Sequence, residues 1–217
     1  MTPTLKHDPV TLPERMKKLP IDKRGFVIPA FVQWLNGEPD FRIMNRQYWH
    51  DCVVKDLCWV CGEKLGLIRT FCIGPMCCIN RTTAEPPSHR DCAIWSAKNC
   101  PFLTRPHMVR REDEFTAQLP DKPGISIDRN PGVTALWFTR DYKVFRDPKG
   151  GALIHIGEPD HIEWFCEGRK AKREEILESI RTGLPFLEEM AKTEGPAAER
   201  ELHAMAENAI RRLVPKE

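Results

Sequence analysis

An α+β fold is what this sequence predicts, on three observations. Short β-type runs bounded by turn residues occur in both halves of the chain, helical spacing fills the segments between and after them, and cysteines crowd one central stretch. The expected order is an N-terminal β-hairpin and helix, a central treble-clef-like zinc module, and a C-terminal β-meander with helices. With 217 residues, 41% of them hydrophobic, the chain can bury a core without disulfides, so a metal would add to the fold rather than replace a core.

Residues 1–24 are Pro- and Lys-rich without periodicity and read as an extended arm, lying on the surface or left mobile. Gly25 to Leu35 reads as a strand, Asn36-Gly37 is a hairpin turn pair, and Pro39 to Met44 returns as the second strand, with Pro29 favouring an edge position. From Asn45 to Leu57 the residues Tyr48, Trp49, Cys52 and Val53 recur at helical spacing. Between Leu65 and Asn80 two apolar runs flank Gly74-Pro75, which suits a hairpin. Ser88 then reads as the N-cap of a helix from His89 to Lys98, which stops before Cys100-Pro101 because a residue preceding proline is pushed out of the α region.

The linker-like LPDKPGISIDRNPG divides a hairpin-plus-zinc segment, 25–118, from a strand-and-helix segment, 125–217. In the latter, Val133 to Phe145, Ala152 to Ile156 and Ile162 to Cys166 read as strands. Helices follow from Lys172 to Thr182, after a break at Gly183 and Pro185 from Phe186 to Lys192, and from Pro196 to Leu213.

No apolar run approaches the roughly 20 residues that span a bilayer, and the first residues lack a signal peptide's apolar stretch, so a soluble, cytoplasmic protein without membrane partners is expected. The charge is uneven: residues 1–111 hold 17 Lys/Arg against 10 Asp/Glu, and residues 112–217 hold 16 against 21. A basic first half is compatible with a phosphate-facing surface, though solubility alone explains such a surplus. Arg69, Arg81, Arg90 and Lys98 are the candidate nucleic-acid contacts.

Seven of the nine cysteines fall between Cys52 and Cys92, which in a reducing compartment points to metal ligation. Cys58-Trp59-Val60-Cys61-Gly62 has the form of a knuckle turn: two thiolates converge on one cation, and glycine lets the backbone fold tightly behind them. His89 and Cys92, three apart at the start of a helix, present an imidazole and a thiolate on one face, where the helix dipole favours the thiolate. The predicted ligand set is therefore Cys58, Cys61, His89 and Cys92, with zinc as the cofactor. Singly, His89 could be an exposed capping residue and Cys92 a small buried hydrophobe; it is the spaced set of four that argues for metal. Cys77 and Cys100 are alternative ligands, and a second site with His107 is a further option. An iron–sulfur cluster is the rival for so Cys-rich a set, and the histidine favours zinc. A redox C-x-x-C would want a βαβ context that is missing here.

Enzyme signatures mostly fail. His161-Ile162-Glu163 has the H-x-E form of a zinc deaminase but follows the cysteine pair, and Leu57 stands where that motif has proline. A ββα-metal nuclease would carry a histidine in the hairpin after its knuckle, and residues 62–88 contain none. Four protein ligands leave no open position for water. Paired carboxylates such as Glu174-Glu175 and the run Arg169 to Arg173 read as solvated faces. The tryptophans read as core anchors, with Trp59 in the knuckle as the exception that could stack on a base.

The segments LCWVCGEKLG, IGPMCCINRTTAEPPSHRDCA, NCPFL and WFCEGRKAKREEILESIRTGLPFL together resemble a family of small uncharacterised proteins of bacteria and their phages, over approximately Arg24 to Leu187. The resemblance places Cys58, Cys61, Cys77, His89, Cys92 and Cys100 inside its motifs, with Cys78 and Lys172 as local departures, and implies no activity. Three roles follow. The leading one is a phage or bacterial accessory factor contacting nucleic acid or a host protein. The second is a hydrolase-like enzyme with a site between the halves, using His155, His161 and Glu163; the third is a structural or assembly component.

Overall fold

The computed structural model describes residues 11–105, 130–147 and 150–216, and its helices and small separate sheets make an α+β fold. The predicted linker and His107 lie largely or wholly outside the described residues. The described part of the N-terminal arm, from residue 11 on, is packed rather than loose. A 3-10 turn at Glu14–Met16 carries Met16 to complete burial, and Leu12 and Met16 join Val60, Leu65, Trp95 and the cysteines Cys58, Cys61 and Cys92 in one apolar cluster.

The first hairpin forms as expected but is shorter on its leading side: β1 is Val32–Leu35 and β2 is Glu38–Met44. Asn36 and Gly37, both at positive φ (50° and 82°), make the turn. Upstream, only Val27 makes a ladder contact, an isolated bridge to Ile21. Helix α1, Arg46–Lys55, is capped by Asn45, whose side chain accepts the Tyr48 N–H at 2.8 Å, and ends on Asp56 in the left-handed region.

The hairpin expected across Leu65 to Asn80 does not form. Strand β3, Arg69–Ile73, is followed at once by helix α2, Pro75–Asn80. Proline at the first helical position has φ already set for a helix and no N–H to waste, so Gly74-Pro75 starts a helix here rather than a turn. After α2 come β4, Thr82–Thr83, then α3, Arg90–Asn99, and the single turn α4, Pro101–Thr104. The N-cap of α3 is His89 itself, one residue beyond the predicted Ser88.

The expected strand Val133 to Phe145 is two strands, β5 at Thr134–Thr139 and β6 at Tyr142–Arg146, followed by β7 at Ala152–Ile156, β8 at His161–Cys166 and β9 at Arg169–Lys170. They pair in nested fashion. One antiparallel sheet runs β3-β5-β8-β9 and the other β4-β7-β6, so the β6–β7 hairpin is an excursion between β5 and its partner β8. Helix α5, Arg173–Glu194, passes through Gly183 and Pro185 without the predicted break, and α6 is Pro196–Leu213. Gly183 faces Met76 so closely that a Cβ there would stand 3.0 Å from the Met76 Cε; the bare backbone lets α2 dock on α5.

All six residues of β5 are buried. On one face Ala135 and Trp137 join Phe71, Ile73 and Trp164 in the main core with α2, α5 and α6; on the other, Leu136 and Phe138 with Phe165 meet Ala93 and Ala97 of α3. Because β3 pairs with β5, segments 25–118 and 125–217 share a sheet and a core. Among the described residues no helix is long and apolar enough to cross a membrane.

Candidate metal centre

The knuckle is built by local hydrogen bonding. An isolated bridge pairs Leu57 with Lys64, the Cys58 N–H donates to the Glu63 carbonyl at 2.7 Å, and the Gly62 N–H returns to the Cys58 carbonyl at 3.0 Å. Gly62 sits at φ 83°, where a side chain is strained, which is why glycine follows the second cysteine. The Cys61 N–H and the His89 N–H both point at the Cys58 Sγ, each from 3.4 Å. Trp59 is not available to stack on a base. It is sandwiched by Phe31 and Tyr48, at centroid distances of 4.8 and 5.7 Å, and the Tyr48 hydroxyl donates to the Cys58 carbonyl at 2.7 Å.

The second half of the centre is the entry to α3. Ser88 exchanges two backbone hydrogen bonds with Thr70 of β3, which fixes the direction in which His89 leaves. His89, 9% exposed, brings Nδ1 to 3.4 Å from the Cys61 Sγ, while Nε2 lies 3.0 Å from the Lys64 carbonyl. That division suits a ligand: one ring nitrogen faces the thiolates and the other donates to a backbone oxygen that holds the ring's orientation. Cys92, in the first turn of α3 and fully buried, supplies the third sulfur.

All four donor atoms lie within 4.8 Å of one another, and all four residues are buried. Tetrahedral thiolates at ~2.3 Å from one zinc would stand about 3.8 Å apart, so the cluster is able to hold a metal ion with little adjustment. Its electrostatics agree. Burial works against the Cys58 thiolate, but hydrogen bonds from Cys61, Cys92 and His89 outweigh it and hold Cys58 below the usual thiol range. Burial also works against charge on His89, yet its contacts with Cys58 and Cys61 raise it to about 10. Without metal the cluster thus keeps protons that an ion would displace.

The N-terminal segment closes the centre from outside. Arg15 donates through Nε to Asp91 at 3.0 Å and reaches Glu63 at 3.7 Å, and Lys18 pairs with Glu63 at 2.6 Å, all above the buried Leu12 and Met16. The sequence reading missed this cover, although Leu12, Met16 and Leu19 are spaced as one helical face would be.

The alternative ligands lie elsewhere. Cys77 is on α2 against the main core, its thiol pushed up to about 11 by burial, and Cys100 is the C-cap of α3, likewise raised by burial. The proposed nucleic-acid contacts do not form one surface of free cations. Arg69 donates to Asp56 at 2.7 Å and to the Gly66 and Leu67 carbonyls; Arg81 is bound to the Ile156 carbonyl and Glu158. Arg90 lies over Phe138 and reaches Glu163 at 3.4 Å, and Lys98 is exposed on α3.

Nor do the acid–base candidates meet in one cleft. His161 stacks on Phe138 on the α3 face of the larger sheet, 3.6 Å from Glu163; His155 belongs to the other sheet. Burial opposes ionisation of Glu163, but Lys170, Arg90 and His161 overcome it and hold the carboxyl below its ordinary range. In comparison with family models, curated proteins and solved structures, nothing matches this chain. The family resemblance therefore stands on its motifs alone.

Proposed function

We propose that this chain is a zinc protein in which Cys58, Cys61, His89 and Cys92 supply all four ligands of a structural ion, and that it acts by binding a partner. The observation that carries the reading is the convergence of four buried N/S donors within 4.8 Å. A complete set of protein ligands organises a fold and leaves no position for a reacting water. The mixed Cys3His set favours zinc over an iron–sulfur cluster.

In the accessory role, a protein partner fits better than nucleic acid. Arg69 spends its donors on Asp56 and on the Gly66 and Leu67 carbonyls, whereas Val54 and Leu67, each two residues from a member of the Asp56–Arg69 ion pair, are 65% and 77% exposed. Elemental analysis of the purified protein should find one zinc per chain; absence of stoichiometric metal overturns the reading. Gel-shift titration with DNA and RNA at low salt tests the partner class: binding that weakens steeply with salt would restore nucleic acid to first place.

A further inference from the structure

A cavity of about 280 Å³ opens between the end of α2, the β7–β8 connection and α6, and none of the candidate metal ligands lines it. Its lining combines apolar Trp137 and Leu213 with the polar Arg81, His155, Asn208 and Arg212. Arg81 is held in place at both ends. Its backbone is in the left-handed region at φ 54°, its carbonyl accepts the Ile156 N–H at 2.8 Å, and its own Nε and Nη2 donate to the Ile156 carbonyl at 3.0 and 2.8 Å. This clamp leaves Nη1 as the group turned to Glu158.

The Glu158 carboxylate is shared. One oxygen accepts from Arg81 Nη1, and the other lies 3.4 Å from Arg212 Nη2 on α6. A single carboxylate seated between guanidinium groups from two separate elements occupies the position an oxyanion would take, since the planar forks of arginine match carboxylate and phosphate oxygens. Glu158 is also an easy group to displace: its side chain is 62% exposed, and exposed ion pairs contribute little. The local field is positive beyond what Glu158 cancels. Lys143 lies opposite His155 across the β6–β7 ladder, and after burial itself the charges of Arg81 and Lys143 are what lower the His155 pKa.

We infer that this cavity binds a small phosphomonoester, its phosphate taking the place of the Glu158 carboxylate between Arg81 and Arg212 and its compact apolar body resting on Trp137 and Leu213. The size agrees: cavities of about 150 Å³ hold one benzene ring, so the space admits a ring together with a phosphate but no oligonucleotide. The inference is independent of the metal reading, because none of the residues it uses is a ligand of that centre.

The test is an NMR titration of the full chain with phenyl phosphate and, separately, inorganic phosphate, at constant ionic strength. Saturable shifts are expected at His155, Asn208 and the Nε–H groups of Arg81 and Arg212. Phenyl phosphate should bind about tenfold more tightly, through the apolar area its ring buries. Glu158→Gln should tighten both ligands several-fold, and Arg212→Glu should abolish binding. Shifts that fail to saturate by about 10 mM, where a millimolar site would be filled, overturn the proposal. So does binding that survives Arg212→Glu. Should that variant unfold, Glu158→Gln decides, and an unchanged affinity there overturns it as well.

Discussion

At the residue scale, the four-residue cluster able to hold a metal ion was legible and its surroundings were not. The C-x-x-C-G knuckle and a histidine three residues before a cysteine are local patterns, and local patterns survive in sequence. The contacts that finish the centre come from backbone atoms, such as the Lys64 carbonyl behind His89, which any residue could supply. The choice among six candidate residues becomes a testable one: Cys92→Ser should lose zinc, whereas Cys77→Ser and Cys100→Ser should retain it, as read by metal content of the purified variants. A second residue-scale outcome concerns acid. Glu175 accepts from both Arg169 Nη atoms, at 2.9 and 2.6 Å, and from the Lys172 N–H at 2.8 Å; the Arg169 contact, first among these, brings its pKa down to about 2. A folded-state pKa below the unfolded value gives stability that is present above the ordinary carboxylate range and lost as pH falls toward 2. Unfolding titrations between those limits should therefore show a smaller acid-dependent loss in Glu175→Gln than in the unaltered chain.

At the element scale, errors arose where one local signal has two meanings. Gly74-Pro75 reads as a turn or as a helix start, and here it starts α2, which docks through Met76 on Gly183 of α5 instead of returning as a strand beside β3. Residues 133–145 look like one strand because apolar residues continue past Arg140 and Asp141, yet the two pieces enter different sheets. Gly183 and Pro185 look like a break, but Gly183 is there for the approach of Met76. A large side chain at that point should separate α2 from α5: Gly183→Leu is expected to destabilise the protein by about 1–3 kcal/mol, the usual cost of overpacking, measured by urea denaturation. An unchanged midpoint would mean that the helices do not meet there.

At the scale of the whole molecule, residues 25–118 and 125–217 share a sheet, and two smaller apolar clusters accompany the main core. The cluster around the candidate ligands contains few large side chains besides Met16, Trp95 and Leu65, whereas the main core draws on both sheets, α2, α5 and α6. Metal-binding energy acts as folding energy where the ligands are, so its removal should be felt unevenly. After chelation, hydrogen exchange should lose protection across residues 11–65 and in α3, and keep it in β5, β7, β8 and α6. A running sum of charge along the sequence does not show that Arg69 pairs with Asp56 and Arg90 with Glu163 in the fold.

X-ray absorption at the zinc edge tests the central claim most directly, since it reads the identity and number of atoms around the ion. The account predicts three sulfurs at about 2.3 Å and one nitrogen at about 2.0 Å, with no oxygen in the shell. Four sulfurs would replace His89 by another cysteine. A bound water, or no stoichiometric zinc at all, would contradict a closed structural centre.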